Sequence, residues 1–125
     1  MAQPTRVLIA DDSLRARDGL RALLTMRPEL EVVGEAANGQ EAVRLVAECH
    51  PDAVLMDLHM PVLDGIQATQ LIKQQWPAVI VVVLTMHAVD QSAALAAGAD
   101  AFLIKGNAPD LILAALGVDV LNSRP

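Results

Sequence analysis

The feature that most restricts this chain is an alternation. Five short apolar runs are separated by stretches long enough for two to four helical turns. Residues 6–10 (RVLIA), 31–36 (EVVGEA), 53–56 (AVLM), 79–84 (VIVVVL) and 101–104 (AFLI) read as strands. The β-branched run at 79–83 lacks polar alternation, which predicts a central strand covered on both faces. Between the runs, apolar residues recur with helical period. Leu20, Leu23, Leu24 and Arg27 fall at i, i+3, i+4 and i+7, with Arg15, Arg17 and Arg21 mostly off that stripe. Ala42, Val43, Leu45 and Val46 mark a second helix, and Ile66, Ala68, Leu71 and Ile72 a third.

The punctuation agrees with this period. Pro28, Pro51 and Pro77 each follow a helical run and precede a strand, where proline stops a helix. Gly98 serves the fourth helix in the same way. Asn38 with Glu41, and Asp64 with Gln67, have the form of N-caps with a reciprocal partner at N3. Strands alternating with helices predict an α/β fold: a doubly wound parallel sheet with right-handed crossovers and helices on both faces.

Composition narrows the function. A chain of 125 residues suits one domain, and 54% hydrophobic residues exclude a disordered one. Two aromatics, Trp76 and Phe102, make no base-stacking platform. Nine Lys+Arg against fifteen Asp+Glu, a net charge of −6, is the wrong sign for binding a phosphate backbone, so no direct nucleic-acid contact is expected. The longest apolar stretch, 78–84, is far short of a membrane span, and the N-terminus does not resemble a signal peptide. Cys49 stands alone and suits a reducing compartment, so a cytoplasmic location is expected.

Ligands of open α/β sheets bind beyond the carboxyl ends of the strands, where strand order reverses. The first strand leads into Asp11-Asp12-Ser13, the third into Asp57, the fourth into Thr85 and the fifth into Lys105. In the five-stranded order 2-1-3-4-5, the first and third strands are neighbours, so three carboxylates converge. They cannot all stay ionised without a cation, and an all-oxygen set favours a hard one such as Mg2+. One carboxylate then serves as a nucleophile for a phosphoryl group. Lys105 holds a phosphoryl oxygen, and the Thr85 hydroxyl bonds another.

These residues, in this order, resemble a response-regulator receiver domain of bacterial two-component signalling. The resemblance runs from Arg6 to about Leu121. It rests on Asp11-Asp12, on Asp57 with Met60-Pro61 and Asp64-Gly65, on Thr85, and on Lys105 with Phe102 three residues ahead. It implies the flavodoxin-like receiver fold, with residues 1–121 as the receiver and 122–125 as a tail or the start of a linker. It implies that Asp57 accepts phosphate from a histidine kinase. It also implies that Asp11, Asp12, Asp57 and the backbone carbonyl of His59 hold Mg2+, and that Thr85 and Phe102 form a switch pair altering the face of helix 4, strand 5 and helix 5.

Thr85-Met86-His87 and Lys105-Gly106-Asn107 resemble receivers that precede a helix-turn-helix DNA-binding domain, although many receivers carry proline where Gly106 stands. The chain is therefore read as a receiver cut from a longer transcriptional regulator, in preference to a stand-alone one. It is expected to catalyse only its own phosphorylation and dephosphorylation.

Plainer readings stand beside these. Asp11-Asp12 in isolation is a helix-capping turn, Thr85 a strand residue and Phe102 a core aromatic. His59 and His87 are read as exposed loop side chains that tune water access, His50 as a solvated helix end, and Cys49 as a small hydrophobe. The arginines of helix 1 have two readings of equal weight: a solvated face paired with Asp18, or a kinase-docking surface. Helix 5 (Leu111, Ile112, Leu113, Ala114, Ala115, Leu116, Val118, Val120, Leu121) is apolar nearly all round. Its outer face is expected to meet a second receiver or an effector domain, with Leu113 and Leu116 as the probes provided their side chains face outward. An aspartyl-nucleophile phosphatase fits less well, because Asp-x-Asp is missing after the first strand. A flavin-binding module lacks its phosphate loop, since Asp12-Ser13-Leu14-Arg15 repels phosphate. A receiver that is never phosphorylated and acts only by binding has no support, since every site residue is present.

Overall fold

A computed structural model describes residues 3–106 and 109–119. The order is β1 (Thr5–Ala10), α1 (Leu14–Thr25), β2 (Leu30–Ala36), α2 (Gly39–Cys49), β3 (Ala53–Asp57) and α3 (Gly65–Gln75). It continues through β4 (Ile80–Thr85), a 3-10 turn (Ala88–Asp90), α4 (Gln91–Ala96), β5 (Ala101–Ile104) and α5 (Pro109–Ala115). All strand pairs are parallel, in the order β2-β1-β3-β4-β5. The expected strands are all present, with ends displaced by a residue. Val79 lies outside β4, where its N–H closes a turn on the Trp76 carbonyl at 3.0 Å.

Side-chain alternation sends the strands into two cores. Leu8, Ala10, Val54, Met56, Val81 and Val83 face Ala42, Val46, Ala68, Ile72 and Ala94 of α2, α3 and α4. Val7, Ile9, Leu55, Val82 and Leu84 face Leu24 of α1 and Leu113 of α5. With both faces covered, the strands need apolar residues at successive positions, which is the run seen at 79–83.

Both caps form, but neither shows the predicted return bond to the cap residue's own N–H. Asn38 Oδ1 accepts from Glu41 N–H at 2.8 Å and Asp64 Oδ1 from Gln67 N–H at 2.9 Å. Glu41, however, returns to the N–H of Ala37 instead of that of Asn38. Exposed His50 closes α2 in the left-handed region (φ 49°), its N–H on the Val46 carbonyl.

The structure decides two points that the sequence left open. Leu113 and Leu116 do not face outward: both are buried with Val118 against the sheet, so α5 is apolar because it is covered. Pro109, Leu111 and Ala114 are exposed among its described apolar residues. The arginines of α1 do not pair with Asp18. Arg17 and Arg21 reach across to Glu35 on β2 at 3.0 and 2.5 Å. Asn107, Val120, Leu121 and the 122–125 tail lie outside the described residues.

Candidate functional site

The carboxyl ends of β1, β3, β4 and β5 form one rim. β1 and β3 pair directly, with Ala10 opposite Met56, so Asp11 and Asp57 leave adjacent strands side by side. Carboxylate oxygens of Asp11, Asp12 and Asp57 lie within 4.8 Å of one another. Asp11 is 2% exposed and Asp57 7%, while Asp12 is open to solvent.

The backbone holds this cluster in place. The Asp11 N–H bonds the Ala36 carbonyl at 2.9 Å, and its Oδ1 accepts from Ser13 N–H at 2.9 Å. Arg17 donates from Nη1 to the Asp11 carbonyl at 2.7 Å while its Nε holds Glu35 at 3.0 Å. Burial pushes the Glu35 carboxyl up, but the Arg21 and Arg17 guanidiniums outweigh it and hold Glu35 below the usual carboxylate range. Arg17 is therefore a strut between β2 and the acidic turn.

Gly65 sets the other side. A Cβ there would overlap the Asp57 carbonyl oxygen and stand 2.7 Å from Leu58 Cα. Only glycine lets α3 start this close to the end of β3. The intervening loop carries Val62 at φ 70°, a rare conformation for a β-branched residue.

Lys105 reaches in from the end of β5. Its Nζ stands 2.5 Å from Asp11 Oδ2 and 3.5 Å from Asp57 Oδ2. Burial lowers the affinity of this ammonium for its proton, yet the Asp11 and Asp57 carboxylates raise it further, leaving Lys105 above its usual value. Asp57 is displaced upward, mainly by burial and also by the Asp11 charge. Lys105 and the N–H groups of His59 and Leu58 oppose that shift without cancelling it. A cluster of three carboxylates, made only of oxygen donors and with Asp57 resisting ionisation, fits a hard divalent cation.

The structure brings Asp11, Asp12, Asp57 and Lys105 together. Thr85 is fully buried at the next strand end, but its hydroxyl belongs to a different network. Thr85 Oγ1 donates to Asp90 Oδ2 at 3.1 Å and accepts from His87 N–H at 3.3 Å. The same Asp90 oxygen lies 2.8 Å from His59 Nε2, and the His59 and His87 rings meet edge to face at 5.0 Å. The His59 hydrogen bond, joined by that from Thr85, outweighs burial and holds the Asp90 carboxyl below its ordinary range. Phe102 is half-buried on β5 and packs against the core on the α4 side.

Sequence reasoning missed Asp90, Arg17 and Glu35 as parts of the site. Asp90 occupies the N-cap position of α4, yet its side chain makes no capping bond. Its only sequence signal was an acid just ahead of a helix, which reads as a cap. Arg17 and Glu35 are 18 residues apart, and only the β1–β2 pairing makes them neighbours.

A family model described as the response regulator receiver domain matches residues 7–117. A transcriptional regulatory protein of Bacillus subtilis, YhcZ, is 45% identical over 107 residues, covering 84% of this chain and 50% of that protein. The nitrate/nitrite response regulator protein NarL of Escherichia coli K12 is 34% identical over 116 residues, covering 91% and 54%. The chain thus spans about half the length of the curated relatives it matches. Among solved structures, the signal receiver domain of the putative response regulator NarL from Mycobacterium tuberculosis superposes with a TM-score of 0.88 at 30% identity, covering 98% and 100% of the two chains. A LuxR-family two-component response regulator from Aurantimonas gives 0.86 at 37%, covering 92% and 84%. No described helix is long and apolar enough to cross a membrane. On this match of sequence, topology and strand-end residues, the chain belongs to the response regulator receiver domain family.

Proposed function

We propose that this chain is a phosphorylation-activated signalling switch in which Asp57 accepts a phosphoryl group from a histidine kinase in the cytoplasm. The observation that carries this reading is a half-neutralised carboxylate. Asp57 is buried beside two other acids, with Lys105 Nζ at 3.5 Å. Asp11, Asp12, Asp57 and the His59 backbone carbonyl would hold Mg2+, which when bound supplies positive charge against the acids and the incoming phosphoryl oxygens.

Asp57 acts as the nucleophile. A carboxylate oxygen forms a bond to phosphorus as the bond from phosphorus to the kinase imidazole breaks, and the departing imidazole carries away the electron pair. Lys105 shifts from the carboxylates to a phosphoryl oxygen. The Thr85 hydroxyl turns to a second one, and Phe102 moves into the space left behind. The face of α4, β5 and α5 changes as a result. Hydrolysis of the aspartyl phosphate resets the switch, and no external metabolite is turned over.

Leu95 and Leu111 are exposed on that face and suit contact with a second receiver or an effector domain. Residues 1–121 form the receiver and 122–125 its tail or linker. Output is transcriptional, through a DNA-binding domain outside this chain, and the chain itself contacts neither DNA nor membrane. Arg15, exposed at the start of α1 beside the site, suits kinase docking better than Arg17 and Arg21, which are committed to Glu35.

The test is intact-protein mass after incubation with acetyl phosphate. A gain of one phosphoryl group that requires Mg2+ and is absent in Asp57→Asn is expected. A gain of equal size in Asp57→Asn would refute the assignment.

A further inference from the structure

The Thr85 hydroxyl is turned away from the acids it is proposed to serve. Among the described residues it hydrogen-bonds Asp90 and the His87 backbone, with no bond to Asp57 or Lys105. Asp90 ends the 3-10 turn that runs into α4 with helical backbone angles (φ −77°, ψ −6°), and its side chain makes no capping bond there. Its Oδ2 serves two partners, the Thr85 hydroxyl at the end of β4 at 3.1 Å and the His59 ring from the loop after β3 at 2.8 Å. One carboxylate oxygen thus ties the end of β4 to the loop after β3.

We propose that Asp90 is a positioning residue that keeps the Thr85 hydroxyl on the α4 side of the rim in the unphosphorylated protein. Phosphorylation must break this bond before Thr85 can reach a phosphoryl oxygen. Asp90 thereby stabilises the resting state and sets how strongly a phosphoryl group must pull to convert it. A ligand shifts such an equilibrium only by its differential affinity for the two states, so removing a bond present only in the resting state tightens binding of whatever favours the other. The inference rests on the reading of Thr85 as a phosphoryl-binding hydroxyl.

The test is a double-mutant cycle on the full chain, using fluoroberyllate with Mg2+ as the phosphoryl stand-in. Its dissociation constant is measured for wild type, Asp90→Ala, Thr85→Ala and the double variant, with Asp90→Asn as a conservative member. One hydrogen bond to a charged acceptor corresponds to roughly a tenfold change in affinity. Asp90→Ala is expected to bind fluoroberyllate about tenfold more tightly. Asp90→Asn, which keeps an acceptor oxygen, should gain less. In the Thr85→Ala background the Asp90→Ala gain should vanish, because the bond it removes no longer exists. A role limited to supporting α4 would give the same change in both backgrounds, and that additivity would overturn the proposal. So would an unchanged or weaker affinity in Asp90→Ala with wild type binding normally. Failure of wild type itself to bind fluoroberyllate would overturn the site reading and this inference together.

Discussion

Replacing Lys105 by methionine isolates the electrostatics of the site. The ammonium lies 2.5 Å from one carboxylate and 3.5 Å from another, at a position 23% exposed. With an effective dielectric of about 20, the gross attractions are roughly 7 and 5 kcal/mol. Most of that is offset by the cost of taking three charged groups out of water. Removing one partner of a buried ion pair typically costs about 3–5 kcal/mol, and partial exposure reduces this to about 2–3 kcal/mol here. Methionine keeps the length and most of the packing of the lysine stem, so the loss is chiefly of charge. In EDTA at neutral pH, Lys105→Met should therefore lower unfolding free energy by about 2–3 kcal/mol, or roughly 10 °C in Tm. Saturating Mg2+ places two positive charges among the same carboxylates, and the loss should fall below half. Urea unfolding of both proteins, in EDTA and in Mg2+ at matched ionic strength, measures the difference. Equal losses in the two conditions would refute the view that Lys105 and a divalent cation neutralise the same carboxylates.

Three further outcomes follow from the geometry. Asp57 has a raised pKa, so the folded state holds its proton more tightly and stability falls as pH rises from its ordinary value of 3.8 through the raised one. In EDTA, Asp57→Asn should thus be more stable than wild type at neutral pH, with the gap closing below about pH 4 in a urea series. Gly65→Ala forces a Cβ onto the Asp57 carbonyl oxygen. It should destabilise by about 2–4 kcal/mol and weaken Mg2+ binding, read by calorimetry. Leu113→Ala should cost about 2–4 kcal/mol, whereas Leu111→Ala, at a site 46% exposed, should cost under about 1 kcal/mol. Equal losses in denaturant would refute the burial of Leu113 against the sheet.

The surface of α5 was read less well than the rest of the molecule, and the reason is physical. A helix that is apolar all round has two explanations, a partner outside the domain or burial inside it, and periodicity cannot separate them. Leu113 and Leu116 look identical to exposed leucines until the sheet is seen to lie beneath them. Phe102 shows a related limit. Its place on β5 was legible, but its half-buried packing against the α4-side core is a property of the assembled layers.

The five strands, the four interstrand helices and the punctuation by Pro28, Pro51, Pro77 and Gly98 were determined by sequence alone, because hydrophobic period and backbone restriction are local. So were Asp11, Asp12, Asp57, Thr85 and Lys105 as strand-end residues, since a parallel sheet sends the end of every strand to one rim. Tertiary structure alone decided which of them touch. Lys105 meets Asp11 across 94 residues of chain, Arg17 meets Glu35 across 18, and Thr85 turns to Asp90 instead of the acids. Those choices depend on strand register and on the paths of the loops after β3 and β4. Many distant contacts set them jointly, and none is encoded in the residues that make the bond.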